Sequence, residues 1–115
     1  MLFRFPKNDS SFVWTDHVKS KMLQYRMSDQ KIKTILKNPN RTESGVAPRT
    51  VAVMKRNDTP KRKEELWVMY QNLATRERGQ VTRKKVISVW RYPGISPKRE
   101  VPLPEGLLEE LKSTL

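Results

Sequence analysis

The chain has no cysteine, one histidine and only four glycines in 115 residues. Without cysteine there are no disulfide staples and no thiolate metal ligands, and the composition fits a cytoplasmic protein. A single histidine excludes multi-histidine metal centres. So few glycines could hardly form a phosphate-cradling loop, and neither the Walker A nor the dinucleotide-binding spacing occurs. There is no nucleophile elbow. No close pair of carboxylates sits in a context suited to glycosidase chemistry. Long apolar runs are missing too: none approaches the roughly 20 residues of a membrane span. The opening Met1–Pro6 is too short for a signal peptide and is broken by Arg4 and Pro6. No metal, cofactor or membrane is therefore expected.

What the chain has in excess is positive charge. Lysine and arginine number 24 against 12 acids, a net charge of +12. Residues 49–91 hold twelve of the cations and four of the acids, a net of +8. An imbalance of this size concerns partners rather than fold. It points to nucleic acid, an anionic surface or an acidic protein. Length and a 36% apolar fraction fit one domain, residues 1–115, with a modest core.

Periodicity predicts an α+β architecture. Residues 1–14 read as an N-terminal arm or edge strand. A helical pair follows over 15–39. Thr15 and Ser28 are the N-cap residues; Val18, Met22 and Tyr25 form one apolar stripe, and Ile32, Ile35 and Leu36 the other. Asn38-Pro39-Asn40 ends the pair. Residues 41–92 alternate as about four strands joined by short loops, including a charged loop around Gly79, so a twisted antiparallel sheet is expected. Both sheet faces are apolar: Val51, Val53, Leu66, Val68 and Tyr70 on one, and Ala52, Met54, Trp67 and Met69 on the other. A C-terminal helix over 104–115, with Leu107, Leu108, Leu111 and Leu115 as its stripe, is expected to cover the second face. A partner molecule is the other occupant for that face.

Residues 83–92, Arg-Lys-Lys-Val-Ile-Ser-Val-Trp-Arg-Tyr, carry the densest functional pattern. Three cations enter a β-branched strand that exits through Trp90, Arg91 and Tyr92. Strict period two puts Lys84, Val86, Ser88, Trp90 and Tyr92 on one face and Ile87, Val89 and Arg91 on the other. Tyr70 on the preceding strand joins the Lys84 face. Lys61-Arg62-Lys63 and Arg83-Lys84-Lys85 flank the strand between them and read either as phosphate contacts or as solubilising charge. Each phosphate contact adds about 0.9 to the salt slope on duplex or ~0.7 on single strands. His17, in the first turn of its helix, reads as a neutral base or as a surface histidine orienting the helix. Arg91 reads as a phosphate ligand or as an edge charge.

The segment Thr15-Asp16-His17-Val18-Lys19-Ser20-Lys21-Met22-Leu23-Gln24-Tyr25-Arg26-Met27-Ser28 resembles the opening of a bacterial domain family of unknown function related to the BrnT and RelE toxins. That family reads His-Ala, two residues, Arg-Met, two residues, Arg-Gly-Ile-Ser/Thr. A second helix then ends Leu-x-x-Pro, and a Val/Ile-rich strand closes on Tyr. His17, Met22, Ser28, Leu36 and Pro39 match, and Val86–Val89 with Tyr92 resembles the closing strand. Lys21 stands for the first arginine, Tyr25-Arg26 for Arg-Gly, and Met27 for isoleucine. Lysine at 21 lacks the planar fork of arginine.

The resemblance implies a helical pair packed on an antiparallel sheet. For the toxin relatives it implies ribonuclease activity, translation arrest and a cognate acidic antitoxin. An RNA-binding domain is then the leading expectation, as a metal-independent ribonuclease in which a 2′-hydroxyl attacks the adjacent phosphate of ribosome-associated mRNA. His17 or Lys84 supplies the base, Arg91 and Lys21 neutralise the phosphate, and Tyr70, Trp90 or Tyr92 stacks a base. Lys61, Arg62, Lys63, Arg83 and Lys85 extend the grip. The alternatives are a non-catalytic nucleic-acid-binding module, and an interaction domain that docks an acidic partner or a second copy of the chain.

Overall fold

The computed structural model describes residues 4–74 and 81–112. Leu2 and Phe3 of the arm, the loop at Gly79 and Leu115 of the last helix lie outside the described residues. Both predicted N-caps form. The Thr15 hydroxyl accepts a hydrogen bond from the Val18 amide at 3.0 Å and starts α1, Asp16–Tyr25. The Ser28 hydroxyl accepts from the Lys31 amide at 3.1 Å and starts α2, Asp29–Lys37. Between them Arg26 takes a left-handed conformation, φ 55°, and closes α1 by donating its amide to the Leu23 and Met22 carbonyls. Glycine is the usual residue at such a cap.

The fold is α+β, with a sheet of five strands rather than about four, and mixed rather than wholly antiparallel. The arm contributes the extra strand. β1, Phe12–Trp14, runs parallel to β5, Val81–Pro93. Its polar lead-in is held by side chains: Asn8 accepts from the Trp14 amide, and Asp9 from the Ser11 and Phe12 amides. The rest is the expected meander of β2 (Arg41–Ser44), β3 (Thr50–Arg56), β4 (Glu64–Ala74) and β5, giving the order β1-β5-β4-β3-β2.

The sheet is buried on both faces, as its two-sided apolar pattern requires. On the helix face, Val53, Leu66, Val68, Val86 and Val89 pack against Val18, Met22, Met27, Ile32 and Ile35. On the opposite face, Ala52, Met54, Trp67, Met69, Ile87 and Trp90 pack under Leu107 and Leu111, with Val101 and Leu103 alongside. The cover is therefore the chain's own tail, ending in α3, Leu107–Leu111. This helix is five residues long. Leu108, placed in its buried stripe by the sequence pattern, is 50% exposed.

Strict alternation fails in β5. Met69 pairs with Ser88 and Tyr70 with Val86, so Ile87 is an extra residue, a β-bulge. Below the bulge Val86 joins the helix face; at and above it Ile87 and Trp90 join the tail face. Lys84 therefore does not share a face with Trp90 and Tyr92, contrary to period two.

Two consecutive glutamates open β4, and successive strand residues face opposite layers. Glu64 turns to the helix face. It takes hydrogen bonds from Asn57 and Arg91, and Arg91 also donates to the Tyr25 and Arg26 carbonyls at the end of α1. Arg91 is thus the tie between sheet and helix, and all three of its guanidinium nitrogens are engaged. Glu65, 0% exposed, turns to the tail face. It accepts from the Ser96 amide and hydroxyl, the Trp67 indole and Arg56, with Arg41 at 3.7 Å. Burial alone pushes the Glu65 carboxyl up; Ser96, Trp67 and Arg41 outweigh it and hold the group below the ordinary glutamate value.

A group whose pKa is depressed by folding stabilises above its unfolded pKa, here about 4.3 for glutamate, and stops stabilising as pH falls through the folded value. Urea titrations between pH 3 and 7 should show stability falling on the acid side of that value. Glu65→Gln should be less stable by about 3 kcal/mol or more near neutrality, with a flatter acid limb. Equal acid slopes in the two proteins would remove Glu65 as the source. Arg26→Gly should gain about 0.5–1 kcal/mol by relieving a left-handed side-chain-bearing residue, read as a higher melting temperature.

Candidate nucleic-acid interface

The expected site residues do not gather at one place. Arg91 pairs across from Leu66 and Lys84 across from Asn72. Six residues of β4 separate those partners, roughly 20 Å at ~3.3 Å per residue. The Lys61–Lys63 cluster precedes β4 and the Arg83–Lys85 cluster lies beside its far end, so the two occupy opposite ends of the sheet. Trp90 is 1% exposed and stacks on Trp67, with ring centroids 6.0 Å apart and planes within 4°. It offers no face to a base and belongs to the core. Its indole N–H has no acceptor among the described residues. Tyr92 is half-buried against the same tail-face core.

His17 sits where α1 meets β5 and α3. Its Nε2 is 3.1 Å from the hydroxyl of buried Ser88, and its Nδ1 is 4.0 Å from Glu110. Lys21 pairs with the same carboxylate at 3.0 Å and with Gln24. The imidazole is held below its ordinary pKa first by burial and then by Lys21, against the pull of Glu110. The direction matches the sequence expectation; burial, rather than the helix terminus, leads the causes. These groups seat α3. A cavity of about 130 Å³ lies beside them, lined in part by Lys21, Tyr25 and Glu105. Nothing in it resembles a phosphate cradle, because Lys21 is already paired.

Below the bulge the arrangement is different. Three neighbouring strands bring Phe12, Lys84 and Tyr70 to the helix face in that order. Phe12 is the register partner of Lys84, and the Lys84 amide donates to the Ser11 carbonyl at 2.9 Å. The Lys84 ammonium lies 4.8 Å from the Tyr70 ring centroid and 3.0 Å from the Asn72 side-chain oxygen. Lys33, from α2, lies 5.5 Å from the Phe12 centroid and 3.6 Å from Asp29. Both rings are half-buried, rooted in the helix-face core with part of each surface open. Two strand spacings of ~4.8 Å and a two-residue offset in register put them roughly 12 Å apart, with a lysine between. Arg83 anchors the rim by donating to the Asp9 carbonyl at 2.9 Å. Burial pushes the Tyr70 phenol up, so it stays protonated.

Cations set over aromatic rings, at the edge of a strongly basic sheet, provide stacking surface and phosphate neutralisation together. Tyr70 and Lys84 are among the residues singled out from sequence. Phe12 and Lys33 are not, since only the parallel pairing of β1 and the packing of α2 bring them in. The clue to Phe12 is the apolar triplet Phe12-Val13-Trp14.

No family model matches the chain, and neither a curated protein nor a solved structure matches it.

The His17 imidazole provides a direct check on the α3 contact. Its folded-state pKa is lowered, so its contribution is complete above the unfolded value of about 6.5 and is lost as pH falls through that value toward the folded one. An NMR titration should place its midpoint below 6.5. Ser88→Ala should leave the imidazole in place and remove a hydrogen bond worth about 1 kcal/mol. A midpoint at or above 6.5 would show that Glu110 dominates instead.

Proposed function

We propose that the chain is a nucleic-acid-binding domain that holds a single-stranded RNA segment against Phe12, Lys84 and Tyr70. The observation that carries this reading is the pair of half-open rings, each with a lysine above it, rooted in one sheet face. Bases stack on such rings without strong sequence preference, at about 1–3 kcal/mol per base. The +12 net charge supplies the field that concentrates a polyanion near them. The resemblance to the BrnT- and RelE-related family is compatible with it. Arg26 takes the left-handed turn where that family carries glycine.

Binding without cleavage is the form the geometry favours. Strand cleavage needs a base and a cation at one phosphate. His17 is engaged with Ser88, Arg91 is engaged with Glu64 and α1, and Lys84 lies roughly 20 Å from Arg91 by strand rise.

Fluorescence anisotropy with a labelled oligouridine, over a salt series, tests the proposal. Tyr70→Ala should weaken binding by about 1–3 kcal/mol, while Tyr70→Phe should hold it. Lys84→Ala should reduce the salt slope by about 0.7. The RNA should run at full length on a gel after incubation. Affinity unchanged by both alanine variants, with folding confirmed by circular dichroism, would move the interface elsewhere. Shortened RNA would restore the nuclease reading.

A further inference from the structure

The opposite end of the sheet carries exposed cations that form no ion pair among the described residues, although the Lys63 charge helps to hold the Asp58 carboxyl low. Three acids at that end are held internally, while Glu100, two residues from Lys98, is exposed. Asp58 is paired with Arg56, Glu64 with Arg91 and Arg62, and Glu65 with Arg56 and Arg41. Lys61, Lys63 and Lys98 are exposed, and no ion pair or side-chain hydrogen bond engages them among the described residues. They are not on loose chain. Pro60 and Lys61 are the central residues of a tight turn closed by reciprocal Thr59 and Arg62 backbone hydrogen bonds of 2.8 and 3.3 Å. Asp58 pins the turn by accepting from the Glu64 amide, and the Thr59 hydroxyl accepts from the Arg62 amide. The Lys98 loop is fastened to the same place, since the Gly94 amide donates to the Lys63 carbonyl and Arg56 to the Gly94 carbonyl. Solubilising charge needs no such scaffold.

We infer that Lys61, Lys63 and Lys98 form a second contact, made to the phosphate backbone alone, so that one strand of RNA is held at both ends of the sheet. The inference rests on the binding reading above and extends it to ligand length. Among the described residues no half-open ring with a cation above it accompanies these lysines, so this end grips phosphates and does not stack bases. Nine residues of β4 separate Lys63 from Asn72, which neighbours Lys84, or roughly 30 Å at ~3.3 Å per residue. A strand that keeps the stacked rise of ~3.4 Å per nucleotide needs about nine nucleotides to cover that span, and a drawn-out strand needs fewer. A tetranucleotide is too short for the span and reaches only the aromatic end.

The test compares tetrauridine with dodecauridine on the whole chain. Wild-type protein should bind the dodecamer at least about tenfold more tightly at low salt. The triple variant Lys61→Ala, Lys63→Ala, Lys98→Ala should lose that advantage, leave tetramer affinity unchanged, and reduce the dodecamer salt slope by about 2, at ~0.7 for each of three contacts. Lys19→Ala with Lys112→Ala, which removes charge from the helices, should preserve the length dependence. Three outcomes overturn the inference: a triple variant that weakens both oligomers in equal proportion, one that weakens neither, or a control that abolishes the length dependence equally. If wild-type protein binds neither oligomer, the aromatic interface falls as well. If tetramer binding persists and stays sensitive to Tyr70→Ala, that interface survives and only the second contact is lost.

Discussion

The two glutamates at the mouth of β4 hold the layers of this protein together. Being consecutive on a strand, they face opposite ways. Glu64 reaches the helix pair through Arg91, and Glu65 reaches the tail through Ser96, Arg56 and Arg41. A buried carboxylate left alone would be severely destabilising, and a partnered one still requires good geometry to offset its desolvation. Here each is given several donors. The arrangement also sorts the chain's charge. Acids are half as many as cations, and Asp58, Glu64 and Glu65 at this end of the sheet are held against arginines. The outward field stays positive even where carboxylates are near.

Local rules recovered much of the fold. Both helix starts follow from a hydroxyl side chain placed before an apolar stripe, and the two-sided pattern of β3 and β4 correctly demands a cover on each face. What local rules miss are the pairings set by distant parts of the chain. The arm becomes a parallel strand because β5 offers it an edge and Asn8 and Asp9 shape the approach. The bulge at Ile87 is invisible to period two, since β-branched residues surround it on both sides. One extra residue was enough to put Lys84 and Trp90 on different faces.

The same limit applies to the site. A Trp-Arg-Tyr exit looks like a surface for bases, yet each of its parts has a structural employment. Trp90 stacks on Trp67, Arg91 closes α1, and Tyr92 leans on the tail-face core. The ring-and-lysine pairs arise instead from residues far apart in the chain, Phe12 with Lys33 and Tyr70 with Lys84. Individual residues advertise chemistry; only the strand order decides which of them become neighbours.

The bulge in β5 has a meaning beyond geometry. Below it, Val86 belongs to the core under the helix pair; above it, Trp90 belongs to the tryptophan stack under the tail. The one-residue offset is what lets the strand change the layer its side chains serve without breaking its pairing to β4. In a small domain with one continuous sheet, that offset lets a single strand serve two different layers along its length.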